Sequence, residues 1–210
     1  PKIKSEFSRK EYDNVRLTVL SDGAFSKIST ENAPQGLSCV IKYLDFFGKT
    51  DIIYKEGFLL QPTERALILC SVRDPGNLGS VIRSAVAFGV EHIILTDDCA
   101  DIYHPRTVRS AMGGLFRVRV SITPSLGTLI CDLHRMGRRV FAAELTPDAV
   151  PVGSAGLSPY DICMIGNEGH GIPPEISALC DRSVYIPISE KTESLNAAVA
   201  AAVLMWEQAR

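Results

Sequence analysis

The chain lacks any C-x-x-C pair and any two histidines at metal-ligand spacing. Its six cysteines (Cys39, Cys70, Cys99, Cys131, Cys163, Cys180) are dispersed, several inside apolar runs as small core residues are. A disulfide framework and a zinc module are therefore not expected, and the sequence reads as a reduced, cytosolic-type protein with no metal. No apolar run reaches the roughly 18 residues of a membrane span; the nearest, Leu195 to Trp206, is short and interrupted by Asn196. Internal repeats, low-complexity tracts and a signal peptide are absent too, although a chain starting at Pro1 rather than methionine predicts a piece upstream. Nor is there an excess of positive charge. With net charge -2 and pI near 6.1, any surface for nucleic acid must be local. The candidates are Arg106, Arg109, Arg117 and Arg119, then Arg135, Arg138 and Arg139, then Lys2, Lys4, Arg9 and Lys10, each of which also reads as an ordinary solvated face.

What is present suits a soluble globular protein: 210 residues, 46% hydrophobic and 22% charged, enough for one domain or a domain and a half. Apolar runs at Val15 to Leu20 and Leu37 to Leu44 predict two strands, too few to close a core, so residues 1–46 read as part of a small unit and 47–64 as a linker. From Arg65 the pattern becomes regular. Strands are expected at Ala66 to Cys70, His92 to Leu95, Phe116 to Val120, Val140 to Ala143, Ile162 to Ile165 and Val184 to Ile188. Helical segments fill every gap except Ala142 to Asp161, which its prolines mark as a long loop. Such alternation predicts an α/β fold with a mostly parallel sheet covered on both faces.

Three stretches bear on function. Gly79 to Gly89 reads as a helix with Val81, Ile82, Ala85, Val86 and Phe88 on one face, Arg83 on the other and Gly89 as its C′ residue. The preceding Asp74 to Gly79 reads as a tight loop in which Asn77 could be no more than the N-cap. Ile162 to Pro173 reads as a buried strand opening into a glycine loop. Gly166, Gly169 and Gly171 there would let the backbone turn and approach a ligand, and a bulky residue at Gly166 is expected to block that ligand without unfolding the protein. A strand-to-helix turn with no ligand would look the same. Finally, Ser194, Leu195 and Asn196 open a helix apolar on nearly every side, which puts Asn196 one turn inside a buried element where its amide must find partners.

Taken together, D-P-G-N-L-G-S-V-I-R at Asp74 to Arg83, M-I-G-N-E-G-H-G-I at Met164 to Ile172, and I-P-I-S-E-K-T-E-S-L-N-A-A-V-A at Ile186 to Ala200 resemble, in order and spacing, the three motifs of the SpoU (TrmH) branch of the SPOUT RNA methyltransferases. The resemblance covers about Arg65 to Arg210. It implies an α/β fold with a C-terminal trefoil knot, S-adenosylmethionine as methyl donor, and a ribose 2′-hydroxyl of rRNA or tRNA as acceptor, rRNA ahead of tRNA. Apart from the resemblance, the almost wholly apolar surface of Leu195 to Trp206 predicts a homodimer through the C-terminal helix, and the dispersed cysteines a cytoplasmic location. Pro34, Gln35 and Gly36 before Leu37 look like the end of the L30e-like substrate-recognition domain that many such enzymes carry. Residue by residue, the resemblance places cofactor contacts at Gly166, Asn167, Gly169, Ile186 and Leu195. It places the catalytic arginine at Arg83, with Asn77 beside it and Glu168, Ser194 and Asn196 at the other polar positions; Arg106 and Arg109 are candidates for RNA contact.

Methyl transfer from a sulfonium is an in-line displacement by an oxygen, so the protein must position the hydroxyl, help it lose its proton and exclude water. A guanidinium is a poor base at neutral pH, so stabilisation of the developing alkoxide suits Arg83 better than proton abstraction, which stays as the alternative. Two other readings remain open: a SPOUT methyltransferase acting on a base nitrogen, and a non-catalytic RNA-binding scaffold with the same fold.

Overall fold

The computed structural model describes residues 16–29, 34–43, 60–167 and 169–210, and the chain divides into two units, Pro1–Tyr43 and Leu44–Arg210. In the first unit the one described element is helix α1, Asp22–Ile28, capped by Ser21, whose side chain accepts from the Ala24 amide. Neither expected strand forms among the described residues: 16–20 and 34–43 are irregular and solvent-exposed. An extended run with no neighbouring strand leaves its backbone polar groups to water, and nothing holds it in a ladder.

The second unit is built on a seven-stranded sheet whose paired strands all run parallel. Its strands are β1 (Ala66–Leu69), β2 (His92–Thr96), β3 (Arg119–Thr123), β4 (Val140–Ala143), β5 (Val150–Pro151), β6 (Ile162–Ile165) and β7 (Arg182–Tyr185), in spatial order β3-β2-β1-β6-β4-β7-β5. The helices are α2 (Pro75–Ala87), α3 (Pro105–Ser110), α4 (Leu126–Arg135), α5 (Pro174–Ser177) and α6 (Ala197–Ala209). Side chains alternate across the strands. Leu67, Leu69, Ile93, Leu95, Cys163 and Ile165 face α2 and α6, whereas Ala66, Ile68, Ile94, Ile162 and Met164 face α4. Both faces of the central strands are thus buried, which is why β1 and β6 are apolar throughout instead of alternating with polar residues.

Two predicted strands are displaced, for identifiable reasons. The third starts at Arg119, not Phe116, because Gly114–Phe116 closes a 3₁₀ turn that buries Leu115, and pairing begins where the Arg119 amide reaches Glu91 O. The last ends at Tyr185, not Ile188, because its neighbours run out: β4 ends opposite Val184 and β5 opposite Tyr185. The long loop from Ala142 contains the two-residue edge strand β5, where Pro151 costs no ladder bond. Helix α2 begins at Pro75, so Asp74 to Gly79 is its first turn and not a separate loop. Its apolar stripe is as expected, with Val81, Ile82 and Ala85 buried, Arg83 exposed and Gly89 in the left-handed conformation past its end. Gly79 is needed where α2 crosses α3: a Cβ there would lie 2.4 Å from the Thr107 carbonyl oxygen.

Most of the predicted linker lies outside the described residues, but its end is part of the domain. Leu60 is buried in the core, and the buried Arg138 donates to the carbonyls of Gln61, Pro62, Glu64 and Tyr160. Beside it, Glu64 receives Arg119 Nη2 at 3.0 Å, and the same nitrogen stands 3.0 Å from His92 Nδ1. A guanidinium can only donate, so Nδ1 accepts, and the imidazole is neutral with its proton on Nε2, facing Ser121 Oγ. Burial, then the Arg119 charge, push the His92 pKa down to about 3. Unfolded, the imidazole takes a proton near pH 6.5; folded, it does not, so the unfolded state binds more protons in the window between about 6.5 and 3. Stability from this site is complete above that window and falls as pH drops through it, by up to about 1.4 kcal/mol per pH unit. Urea denaturation of the parent and of His92→Gln between pH 7 and 4.5 should show a shallower pH dependence for the variant; equal slopes would remove His92 from the account.

Candidate active site at the carboxyl ends of the strands

In a parallel sheet ligands bind beyond the strand carboxyl ends, where successive connections leave in opposite directions. Here that place lies between β1 and β6. The chain leaves β1 through Ser71, a non-glycine residue with φ 59°, whose amide donates to Thr96 Oγ1 at 2.8 Å. It leaves β6 into the glycine loop. Asn167 joins the two: its Nδ2 donates to Ser71 O at 2.8 Å, while its Oδ1 accepts from the amides of Gly169 (2.8 Å) and His170 (3.2 Å). Reciprocal backbone bonds between Asn167 and Gly171 close the loop.

Gly166 has a different reason from the one its sequence suggests. A Cβ there would lie 2.3 Å from the Gly171 carbonyl carbon and 2.6 Å from Ile172 N, so the residue must be glycine because the loop folds against its own backbone, ligand or not. A larger residue at this position would thus disturb the loop itself, contrary to the expectation of a purely local block. Glu168 lies outside the described residues.

The first and third motifs meet directly. Asp74, not Asn77, caps α2 by accepting from the Asn77 amide at 2.8 Å. The Asn77 side chain is thereby released for another contact, and its Oδ1 accepts from Asn196 Nδ2 at 2.9 Å across 119 residues of sequence. Asn196 is not one turn inside a buried helix. It is the exposed N-cap of α6, accepting from the Ala198 amide at 2.9 Å, and Leu195 precedes the helix.

Beside this contact opens a cleft of about 180 Å³ lined by the ends of β4 and β7 and the start of α6; Ile186, Ser194 and Leu195, all expected site residues, are in its wall. Gly166, Asn167 and Gly169 are not among its lining residues. A residue that sequence reasoning missed is Glu144, which lines the cleft and accepts from Ser177 Oγ and, at 2.7 Å, from Ser183 Oγ. Its only signal was an acid ending the apolar strand Val140 to Ala143.

Arg83 stands apart. It lies six residues past Asn77, about 9 Å along the helix axis, on the exposed side of α2, with no hydrogen bond or ion pair among the described residues. Of the two arginines suggested for RNA, Arg106 is paired with Asp74 at 3.1 Å. Arg109 is exposed in the last turn of α3.

Residues 64–206 match the model of the SpoU rRNA methylase family, and the chain belongs to that family. It is 31% identical over 192 residues to the Bacillus subtilis 23S rRNA (guanosine(2553)-2'-O)-methyltransferase RlmP, covering 91% of this chain and 72% of that protein. It is 35% identical over 141 residues to a 23S rRNA (uridine(2479)-2'-O)-methyltransferase of Streptomyces viridochromogenes, covering 65% of this chain and 49% of the relative. Among solved structures, a TrmH-family RNA methyltransferase from Porphyromonas gingivalis superposes with TM-score 0.67 at 30% identity, over 88% of this chain and 70% of that one. The SpoU methyltransferase AviRb from Streptomyces viridochromogenes, solved with its cofactor AdoMet, gives 0.65 at 29%, over 72% and 61%. The fold is that of the SPOUT methyltransferases.

The steric role of Gly166 yields a direct test. Gly166→Ala should lower the melting temperature by several degrees, the scale of an overpacked site costing about 1 to 3 kcal/mol. A calorimetric scan matching the parent would show that the loop can move aside.

Proposed function

We propose that this chain transfers a methyl group from S-adenosylmethionine to a ribose 2′-hydroxyl of ribosomal RNA, as relatives with that name do. The observation that carries the reading is the Asn77 to Asn196 hydrogen bond, which draws the first and third motifs together beside a cleft walled by Ile186, Ser194 and Leu195. The cleft suits the cofactor: Val184, Ile186, Ile188 and Leu195 offer apolar surface to an adenine ring, and residues 186–189 and 194–196 carry backbone groups outside any helix or strand. We infer that this segment threads as the trefoil knot of the family, and that residues 1–46 belong to an L30e-like substrate-recognition unit. An rRNA substrate and six free thiols fit a cytoplasmic enzyme.

When bound, the cofactor supplies an electrophilic methyl group. The chain's residues do the rest. Asn196, held by its capping bond and the Asn77 contact, and Ser194, in the cleft wall, position polar groups at the cleft mouth, and Glu168 joins them on the strength of its motif. Arg83 stabilises the charge that builds on the ribose oxygen as its proton departs. Its exposure, with no hydrogen bond or ion pair among the described residues, leaves its donors available for RNA.

Saturating S-adenosylmethionine should raise the melting temperature of the parent, and Arg83→Ala should keep that shift while losing about 10² to 10³ in single-turnover rate at saturating RNA. Arg83→Lys should recover little, because an ammonium lacks the planar fork of donors. A parent-like rate for Arg83→Ala would end the catalytic assignment, and absence of any thermal shift would end the cofactor assignment.

A homodimer through α6 is part of the same proposal. The domain buries Ala197, Ala201, Leu204, Met205 and Gln208, but Val199 and Trp206, seven residues apart on another face, are 49% and 53% exposed. Trp206 is held edge-on to Phe88, with ring centroids 6.2 Å apart. Sedimentation should show a dimer at micromolar concentration that Trp206→Glu dissociates; a monomeric parent would reject the interface.

A further inference from the structure

We propose that the segment from Val108 to Phe116 is a stacking platform for an unpaired RNA base near the target nucleotide, with Met112 and Phe116 as the contact residues. The inference rests on the RNA-methylation reading above and extends it to how the substrate is gripped.

Val108, Met112 and Phe116, spaced four residues apart, are 43%, 70% and 56% exposed, although Ala111 and Leu115 between them are buried at 1% and 4%. The segment is therefore anchored, with its outer residues displayed. The anchor is Gly114: a Cβ there would lie 3.1 Å from Ile82 Cγ2 and 3.5 Å from Arg83 Cα, so the turn is pressed against α2 at the level of the proposed catalytic arginine. Met112 has φ 48°, a conformation that residues with a Cβ seldom adopt and that is found most often where function demands it.

Charge decides the occupant. From Ile102 to Cys131 there is no Asp or Glu, while Arg109 and Arg117 flank the apolar residues and both are exposed. Aromatic and thioether surface interleaved with guanidinium groups matches a base with its neighbouring phosphates. A second copy of the chain fits poorly, since a two-fold contact would set this acid-free, arginine-flanked segment against itself.

The test uses the full chain and an unmodified transcript of bacterial 23S rRNA. Phe116→Ala should weaken RNA binding about ten- to hundredfold, the loss of one base stack, while Phe116→Tyr stays within about threefold of the parent. The S-adenosylmethionine thermal shift and the sedimentation coefficient of Phe116→Ala should match those of the parent. Met112→Ala, at a residue too exposed to hold the fold together, should weaken binding in the same direction. RNA affinities of both alanine variants within twofold of the parent overturn the platform while leaving methylation intact. Dissociation of a dimer by Phe116→Ala assigns the face to a second copy and overturns it too. A parent that methylates no cellular RNA at all sinks the underlying reading, and the platform with it.

Discussion

The carboxyl edge of the sheet depends on one side chain. Asn167 donates to the carbonyl of Ser71 and accepts from two amides of its own loop, tying the ends of the adjacent central strands β1 and β6 together. Both strands end in backbone that would not settle there unaided: Ser71 is left-handed without being glycine, and the loop after β6 folds so tightly that Gly166 has no room for a Cβ. A residue with a donor and an acceptor on one rigid amide meets both demands. Aspartate could serve the loop amides but would set a carboxylate against the Ser71 carbonyl. The path of β1 into α2, and with it the placement of Asn77, follows from this clamp.

Much of the second unit was legible because fully buried strands and one-sided helices leave strong patterns. The stripe on α2, the exposure of Arg83 and the apolar runs of β1, β2, β4 and β6 come directly from burial on two faces or one. Errors arose where partners at long sequence separation decide. β7 stops at Tyr185 because β4 and β5 end there, and nothing between Val184 and Ile188 announces it. The strand following Gly114 starts late because the turn is held against Ile82 and Arg83 of α2, far off in sequence. In the first unit β-branched runs suggested strands, but strand propensity without a neighbouring strand has nothing to act on.

The site was legible by motif more than by physics. Residue types marked Asn196 as a polar group in need of partners and Asn77 as a possible N-cap, yet only the fold shows that they partner each other: Asp74 takes the cap of α2 and frees the Asn77 side chain, while Asn196 caps α6 with its oxygen and reaches Asn77 with its nitrogen. Glu144 escaped notice because one acid at the end of an apolar strand is common on any surface. Its importance comes from two serines of other elements that converge on it at the cleft.

Charge on the second unit is treated in two ways, which bears on where function can reside. At the amino edge, Glu64, Arg119 and His92 are drawn together, the glutamate and the imidazole buried, and Arg138 is buried among four carbonyls. Each of these four side chains already has its hydrogen-bonding partner, so they contribute stability and have little left to offer a ligand. On α2 and in the turn that leads into β3, Arg83 and Arg117 are exposed with no ion pair among the described residues, and Met112 and Phe116 are uncovered. Bare apolar surface costs a folded protein solubility, and neighbouring like charges cost it some stability, while they stay empty. An RNA chain, with its phosphates and flat bases, satisfies both kinds of group at once. On the proposed reading, the same segment of sequence, poor in acid and carrying arginines, is a liability to the free protein and the grip of the working one.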